Sequence, residues 1–458
     1  MRLSQLMSNL IKISAPHDHK PERNYVFQVL FNDWMGLTYE VEWVDATSTI
    51  LTSAGRQMVI PDLFFFSLPE VVEWSDLQVP TELHWLDPID EHGDRIPSFF
   101  GSVWENERSE DVLALGCDVF AHAFFHLTRW EEIGLKHLDR FGRIDESALL
   151  ALQHGVHYMP SLDMLFHRLS STMETFLRLK VKDQHPYSIK VTHDVDHLRR
   201  FDTVKKWVNA IGGDLLLRKK PWLVFKTTWE FISIQLKLRK DNYDSFDALM
   251  DRSESLGLKS HFYFIPSHAG EEDVRYDIRS RVAQETIHSI QKRGHTVGVH
   301  GSFASAWDKE VFKQELARLH ACTPEVSEGR MHYLRFKNPH TWQMWEEAGL
   351  QRDSSLGLSS DIGFRCGTAR PYRVFDLQNR KTLSLIEEPL IVMEVALIRK
   401  YPKAEEGLNA ARQVVDMCER YGGQLVYLWH PENLDHPHWG QYAHLYEAIL
   451  SYAAKEQA

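Results

Sequence analysis

The segment Thr192-His193-Asp194-Val195-Asp196-His197 sets two carboxylates and flanking histidines at the end of a run that alternates like a buried β-strand. Ile189 and Val191 alternate with polar neighbours, and the same period of two puts Asp194 and Asp196 on one side of an extended backbone. Side-by-side carboxylates repel and call for compensating positive charge. A divalent metal supplies it, with one carboxylate as ligand and the other left to act as a base. An Asx-type turn in a solvated loop would account for the same residues without chemistry.

Two further strand-like runs also end in histidine. Gly294 to Ser302 reads Gly-His-Thr-Val-Gly-Val-His-Gly-Ser, in which Val297 and Val299 alternate up to His300. Gln424 to Leu434 reads Gln-Leu-Val-Tyr-Leu-Trp-His-Pro-Glu-Asn-Leu, an apolar run that ends at His430 because Pro431 cannot continue it. Singly, each histidine is a satisfied structural residue as readily as a functional one. In a parallel barrel, however, strand C-termini from distant parts of the chain converge on one site, and three such ends together favour one.

These segments make the chain from about Tyr187 onward resemble the polysaccharide deacetylase family, the NodB-homology carbohydrate esterases that use a metal. Five segments follow the family's order. Thr192 to Asp196 resembles the first motif, which implies Asp194 as general base and Asp196 as metal ligand. Gly294 to His300 resembles the lead-in to the second, with His300 on its first metal-binding histidine. Arg335, in His332-Tyr333-Leu334-Arg335-Phe336, resembles the third-motif arginine that orients the base. Asp353-Ser354-Ser355-Leu356-Gly357 resembles the fourth, and Leu428-Trp429-His430-Pro431 the fifth, which implies His430 as general acid.

The resemblance has one departure. The family's second metal-binding histidine falls four residues after the first, and that position here is Ala304. Catalytic zinc usually keeps three protein ligands and one open position, so two would be too few. His332 could supply the third nitrogen, or His197 or His193, although His193 should point away from the aspartate pair. Alternatively the metal is lost and the domain is a degenerate glycan-binding or scaffold module. A metal-free glycosidase would need carboxylates about 5–9.5 Å apart astride the scissile bond, which the one-residue gap between Asp194 and Asp196 disfavours.

Ile362 to Tyr372, with Phe364, Arg365 and Cys366, is similar to a subgroup of the family in which the second histidine is absent and an N-terminal companion domain is present. The stretch from Asp118 to Glu132 is similar to that companion. Read from its residues alone it is an amphipathic helix that packs Phe125, Leu127 and Trp130, with Arg129, Glu131 and Glu132 as a solvated charge cluster.

The 458 residues suggest two or three domains, and a 43% hydrophobic content is ample for burial. Cys117, Cys322, Cys366 and Cys418 form no Cys-x-x-Cys pair and no secreted-type framework, so free thiols and a cytoplasmic location are expected. Met1 to Met7 lacks a signal-peptide core, and the longest apolar run, Leu390 to Ile398, is short and interrupted by Glu394. A net charge of −12 argues against nucleic acid as a general partner.

That charge is uneven: residues 199–240 hold 11 Lys/Arg against three acids, a local net of +8. Trp207, Leu215, Trp222, Trp229 and Phe231 are interleaved with the charges at helical spacing. Such a segment is either a helical pair packed on the barrel or a lid or docking surface for an anionic partner, including a peripheral contact with a membrane face.

The architecture expected is α/β, a distorted (β/α) barrel of the NodB-homology type over 187–458 preceded by a smaller α/β domain over 1–180, with 181–186 as linker. Expected elements are a helix from Tyr25, a strand Tyr39–Val44, a helix Pro160–Lys180, a strand His261–Ile265, and helices Arg281–Arg293, Lys309–His320 and Gly407–Tyr421. The resemblance implies hydrolysis of an N-acetyl or related acyl group on an amino sugar, with Zn2+ or else Co2+, Ni2+ or Mn2+ as cofactor. A nucleotide-linked or lipid-linked building block of surface polysaccharide is the substrate expected in the cytoplasm. Trp429, Trp342 or Phe364 could stack on the sugar, with Arg365 and Glu394 as further candidate contacts.

Overall fold

The computed structural model describes residues 9–68, 79–88, 90, 92–201, 204–217, 219, 221–267, 272–273, 276–434 and 440–455. The N-terminal reading of Met1 to Met7 lies outside them, as do Arg218 and Lys220 of the basic segment.

In the first part of the chain, strands β1 (Leu10–Pro16), β2 (Thr38–Val44), β3 (Ser48–Ser53), β4 (Arg56–Pro61), β7 (Glu105–Arg108) and β8 (Val112–Leu115) form a mixed sheet in the order β2-β1-β3-β4-β8-β7. A small hairpin, β5 (His84–Leu86) with β6 (Ile96–Ser98), lies apart from it. The helix expected from Tyr25 begins at Lys20, where Pro21 in its first turn fits the fixed φ of a helix start. Asp118 caps Val119–Leu127 by accepting from the amides of Phe120 and Ala121. The helix expected over Pro160–Lys180 is Ser161–Thr175, and it stops short because Arg178 adopts a left-handed backbone.

The second part holds nine strands: β9 (Ser188–Val195), β10 (Ser260–Phe264), β11 (Thr296–Gly301), β12 (Glu328–Met331), β13 (Arg352–Asp353), β14 (Tyr372–Asp376), β15 (Lys381–Glu387), β16 (Leu390–Met393) and β17 (Gln424–Leu428). Their order is β14-β15-β13-β12-β11-β10-β9-β17-β16, parallel throughout except for the antiparallel β14–β15 pair. The sheet is a curled half-barrel: among the described residues β14 and β16 have no further strand partner. The β14 side is covered by the first part of the chain instead: Tyr25 donates to the Arg373 carbonyl (2.7 Å) and the Trp34 indole to that of Pro371 (3.1 Å). One hydrophobic core runs through both parts, from Ile11 to Ala453.

Helices Arg281–Lys292, Lys309–His320 and Ala404–Tyr421 alternate with these strands close to the expected positions. The apolar run at Leu390 is β16, and Glu394 opens the helix that follows it. At Gly329 a β-carbon would fall 1.8 Å from the Val299 carbonyl oxygen, so only glycine lets β11 and β12 approach this closely.

Candidate metal and acid–base site

The side chains of β9 alternate as the sequence requires. Lys190, Thr192, Asp194 and Asp196 follow one another at the period of the inner face, while His193 turns outward to the Trp429 carbonyl (2.7 Å) and Ser260 (3.2 Å). The inner face of the half-barrel is therefore built in charged layers. Lys190 is held between Glu328 (3.2 Å) and Glu388 (2.5 Å) at the bottom, and Arg330 reaches Thr192 (3.3 Å) above it.

Arg330 holds the base candidate. Its Nη1 donates to Asp194 Oδ1 at 2.8 Å, and its Nε and Nη2 are fixed by the carbonyl and hydroxyl of Ser354 (2.7 and 3.0 Å). Burial pushes the Asp194 carboxyl up, but Arg330 and then His300 outweigh it and keep the group below its ordinary range. The sequence reading gave this role to Arg335. That side chain instead donates to the Phe303 carbonyl and stacks between Phe303 and Trp307. Ser354 thus braces Arg330, and Ser355 donates to Asp353 (2.5 Å).

Asp196, His300 and His332 converge at the strand ends with their ligand atoms all within 4.8 Å of one another. His300 Nε2 and His332 Nε2 each lie 3.6 Å from Asp196 Oδ1. These separations are too long for hydrogen bonds, but ligand atoms arranged tetrahedrally at about 2.1 Å from a shared ion stand about 3.4 Å apart. Asp196 Oδ1 is buried and has no hydrogen-bond partner, the condition a cation would relieve. Both rings are oriented for it. His300 Nδ1 donates to the Arg330 carbonyl (2.9 Å) and His332 Nδ1 faces Asp273 (3.4 Å), which leaves both Nε2 atoms turned toward Asp196. In the protein alone, burial would depress His332, but Asp196 and Asp273 overcome it and push the imidazole up to about 9. Burial depresses His300. Of the candidates for the third nitrogen, His332 meets Asp196; His193 faces away, and His197 packs beside Tyr243.

His430 stands across the same site with Nε2 3.9 Å from Asp196 Oδ2. Its Nδ1 donates to Glu394 at 2.6 Å, and Glu394 also accepts from the His430 amide and from Asn433. Burial would lower this imidazole, yet Glu394 and then Asp196 raise it well above its usual value, the direction that suits an acid. Glu394 is therefore a partner of His430 rather than a group at the cleft surface.

The cleft over these residues encloses about 640 Å³. Its far wall is a turn of the first part of the chain, Arg140-Phe141-Gly142-Arg143, with Phe141 stacked on Tyr333 (4.6 Å) and Arg143 donating to the Tyr333 carbonyl (2.9 Å). Those contacts hold Tyr333 and Leu334 in left-handed backbone (φ 60° and 54°) immediately after His332. Arg399, Met393 and Val395 complete the opening.

The expected sugar contacts do not line it. Trp429 alternates with His430 and points into the core against Tyr446; Trp342 is buried with its indole on Glu387 (3.0 Å). Phe364 is buried, and Arg365 grips Glu132 through two bonds of 2.9 and 3.0 Å. That bond corrects a second expectation. Arg129, Glu131 and Glu132 are not solvated but buried, in a cluster that Arg365 closes. Arg330, Asp273 and the Arg140–Arg143 turn were not foreseen.

Residues 11–178 match a family of unknown function (DUF7033). No curated protein matches the sequence. Among solved structures, a Mycobacterium smegmatis protein assigned as a polysaccharide deacetylase is similar at 14% identity and a TM-score of 0.38, over 59% of this chain and 85% of that one. A Bordetella bronchiseptica protein assigned as a polysaccharide deacetylase involved in O-antigen biosynthesis is similar at 13% identity and a TM-score of 0.29, over 59% of this chain and 90% of that one.

Proposed function

We propose that the chain is a metal-dependent hydrolase that removes an N-acetyl or related acyl group from an amino sugar during the building of surface polysaccharide, acting in the cytoplasm. The observation that carries this reading is the convergence of three sets of groups on one cleft. They are a carboxylate paired with a guanidinium (Asp194–Arg330), an Asp/His/His group whose Asp196 Oδ1 has no hydrogen-bond partner, and an imidazole backed by a carboxylate (His430–Glu394). A divalent ion held by Asp196, His300 and His332 would polarise the acyl carbonyl and the attacking water, and the N₂O donor set suits Zn2+, with Co2+, Ni2+ or Mn2+ as alternatives.

The chain's own residues divide the proton work. Asp194 takes the proton of the attacking water through Oδ2, because Oδ1 is occupied by Arg330. His430 gives its Nε2 proton to the departing amine, and Glu394 stabilises the charged ring until it does. Arg140 and Arg399 flank the cleft and, among the described residues, pair with no carboxylate, which supports a substrate bearing phosphate such as a nucleotide-linked or lipid-linked sugar.

The test is acetate release from a panel of N-acetylated amino sugars, free and nucleotide-linked, with zinc-loaded and chelator-treated protein. The proposal expects equal amounts of acetate and free amine, abolished by chelation and restored by metal. Zinc-loaded protein that binds these sugars yet frees no acetate would replace it with the glycan-binding module.

A further inference from the structure

Immediately beyond the carboxylates of β9 the chain leaves the sheet for an excursion whose base is pinned shut. Asp241 accepts from the Arg200 and Phe201 amides (2.9 and 3.0 Å), and Arg199 pairs with Asp244 (2.9 Å). Inside it, helices Val204–Gly212 and Pro221–Gln235 meet through Trp207 stacked on Phe231 (5.1 Å). The inward side of the second helix is largely polar, with Thr227, Glu230 and Ser233 buried beside Leu223. Thr227 donates to Asp214 (2.6 Å), and Glu230 accepts from Arg200 (2.6 Å).

The outward side is apolar. Trp222, Phe225, Trp229, Ile232 and Leu236 recur at three- and four-residue steps and so form one stripe, with Trp222, Phe225 and Trp229 60%, 79% and 65% exposed. Of the 17 exposed large hydrophobic residues among those described, ten lie between Val204 and Leu238. A helix that turns polar groups inward and shows its apolar stripe to water inverts the usual arrangement, and a patch of this kind marks a contact surface.

Charge identifies the occupant. Both described acids of the excursion, Asp214 and Glu230, are turned inward, whereas Lys219, Lys226 and Lys237 are exposed and, among the described residues, pair with no carboxylate. The surface is cationic in a chain of net charge −12. Two copies meeting through the stripe would set the same lysines against each other. An anionic lipid surface complements both features, since lysines meet its headgroups while tryptophan and phenylalanine enter the acyl boundary. No helix among the described residues is long and apolar enough to cross a membrane, so the contact is made in the plane of the interface.

We propose that residues 204–238 dock on an anionic bilayer, stripe inward, which would hold the cleft beyond β9 at the membrane surface. The experiment is flotation of the full chain with vesicles of phosphatidylcholine, with and without phosphatidylglycerol, at low and high salt. The proposal expects flotation with the anionic vesicles, released as salt rises. It expects Phe225→Glu with Trp229→Glu to lose at least about tenfold in partitioning, and Lys226→Gln about fivefold, with unchanged far-ultraviolet circular dichroism. Absence of flotation, equal flotation with neutral vesicles, or indifference to Phe225→Glu and Lys226→Gln would overturn it. So would a wild-type dimer by light scattering that Phe225→Glu converts to monomer without any vesicle binding.

Discussion

Of the places where this molecule buries arginines among carboxylates, two are finished differently. Where β14 meets the first part of the chain, Glu132 Oε1 accepts from Arg129 and Arg365 (both 2.9 Å) and Oε2 from Arg365 (3.0 Å). Glu131 accepts from Arg129 and from the Leu150 amide (both 2.9 Å). Every carboxylate oxygen there has a donor, and although burial would raise Glu132, Arg365 and Arg129 bring it down to about 2. Inside the half-barrel, Arg330 satisfies Asp194, but Asp196 Oδ1 is left with two imidazole nitrogens at 3.6 Å and no hydrogen bond. A closed cluster holds parts of a fold together. One with an unmet carboxylate oxygen facing a cleft has been built to receive something.

Substitutions should separate the two. Asp194→Asn removes the base without removing a ligand, so turnover should fall about 10²–10⁴-fold while metal content by elemental analysis stays at the wild-type level. Loss of metal along with activity would make Asp194 a ligand. Glu132→Ala should do the reverse, costing about 3–5 kcal/mol in urea unfolding because buried Arg365 loses its carboxylate partner and buried Arg129 one of its two. The folded fraction should still bind metal; a variant of normal stability would mean the closed cluster does not hold the fold.

Asp273→Ala tests the orientation of His332 and should weaken metal binding about 10–100-fold in a competition titration. Arg335→Ala should have the smallest effect, about 0.5–1 kcal/mol of stability from its lost stacking on Phe303 and Trp307, with kcat nearly unchanged. A fall in kcat matching that of Asp194→Asn would restore Arg335 to the role the sequence suggested.

How far these features could be read in advance depended on whether they are local. Asp194 and Asp196 share a face because a strand repeats every two residues, and His300 and His430 were legible as the ends of apolar runs. Counting the same period backward from His332 gives Arg330 and Glu328 on the inner face, a local signal that the motif-like spacing of Arg335 masks. The period also sets Trp429 opposite His430, so one of the pair had to face the core.

Other features have no local signal. Asp273 follows no periodic run, and Arg129, Glu131 and Glu132 become a buried cluster only through Arg365, 233 residues beyond Glu132. Helical spacing in the 199–240 segment established helices without revealing which face turns inward, since that depends on where Asp214 and Glu230 find partners. Barrel closure likewise depends on whether the edge strands β14 and β16 meet, and the helices packed on β14 take one of those edges.

The central claim is that His332 completes a three-ligand site with Asp196 and His300. It is tested most directly by metal stoichiometry on wild type, His332→Ala, His300→Ala and Asp196→Ala after incubation with zinc. The account predicts about one ion per wild-type chain and a comparable loss in all three variants, since any two remaining ligands are too few. A His332→Ala chain that keeps its full complement, or a wild-type chain that takes up neither zinc nor cobalt, nickel or manganese, would contradict it.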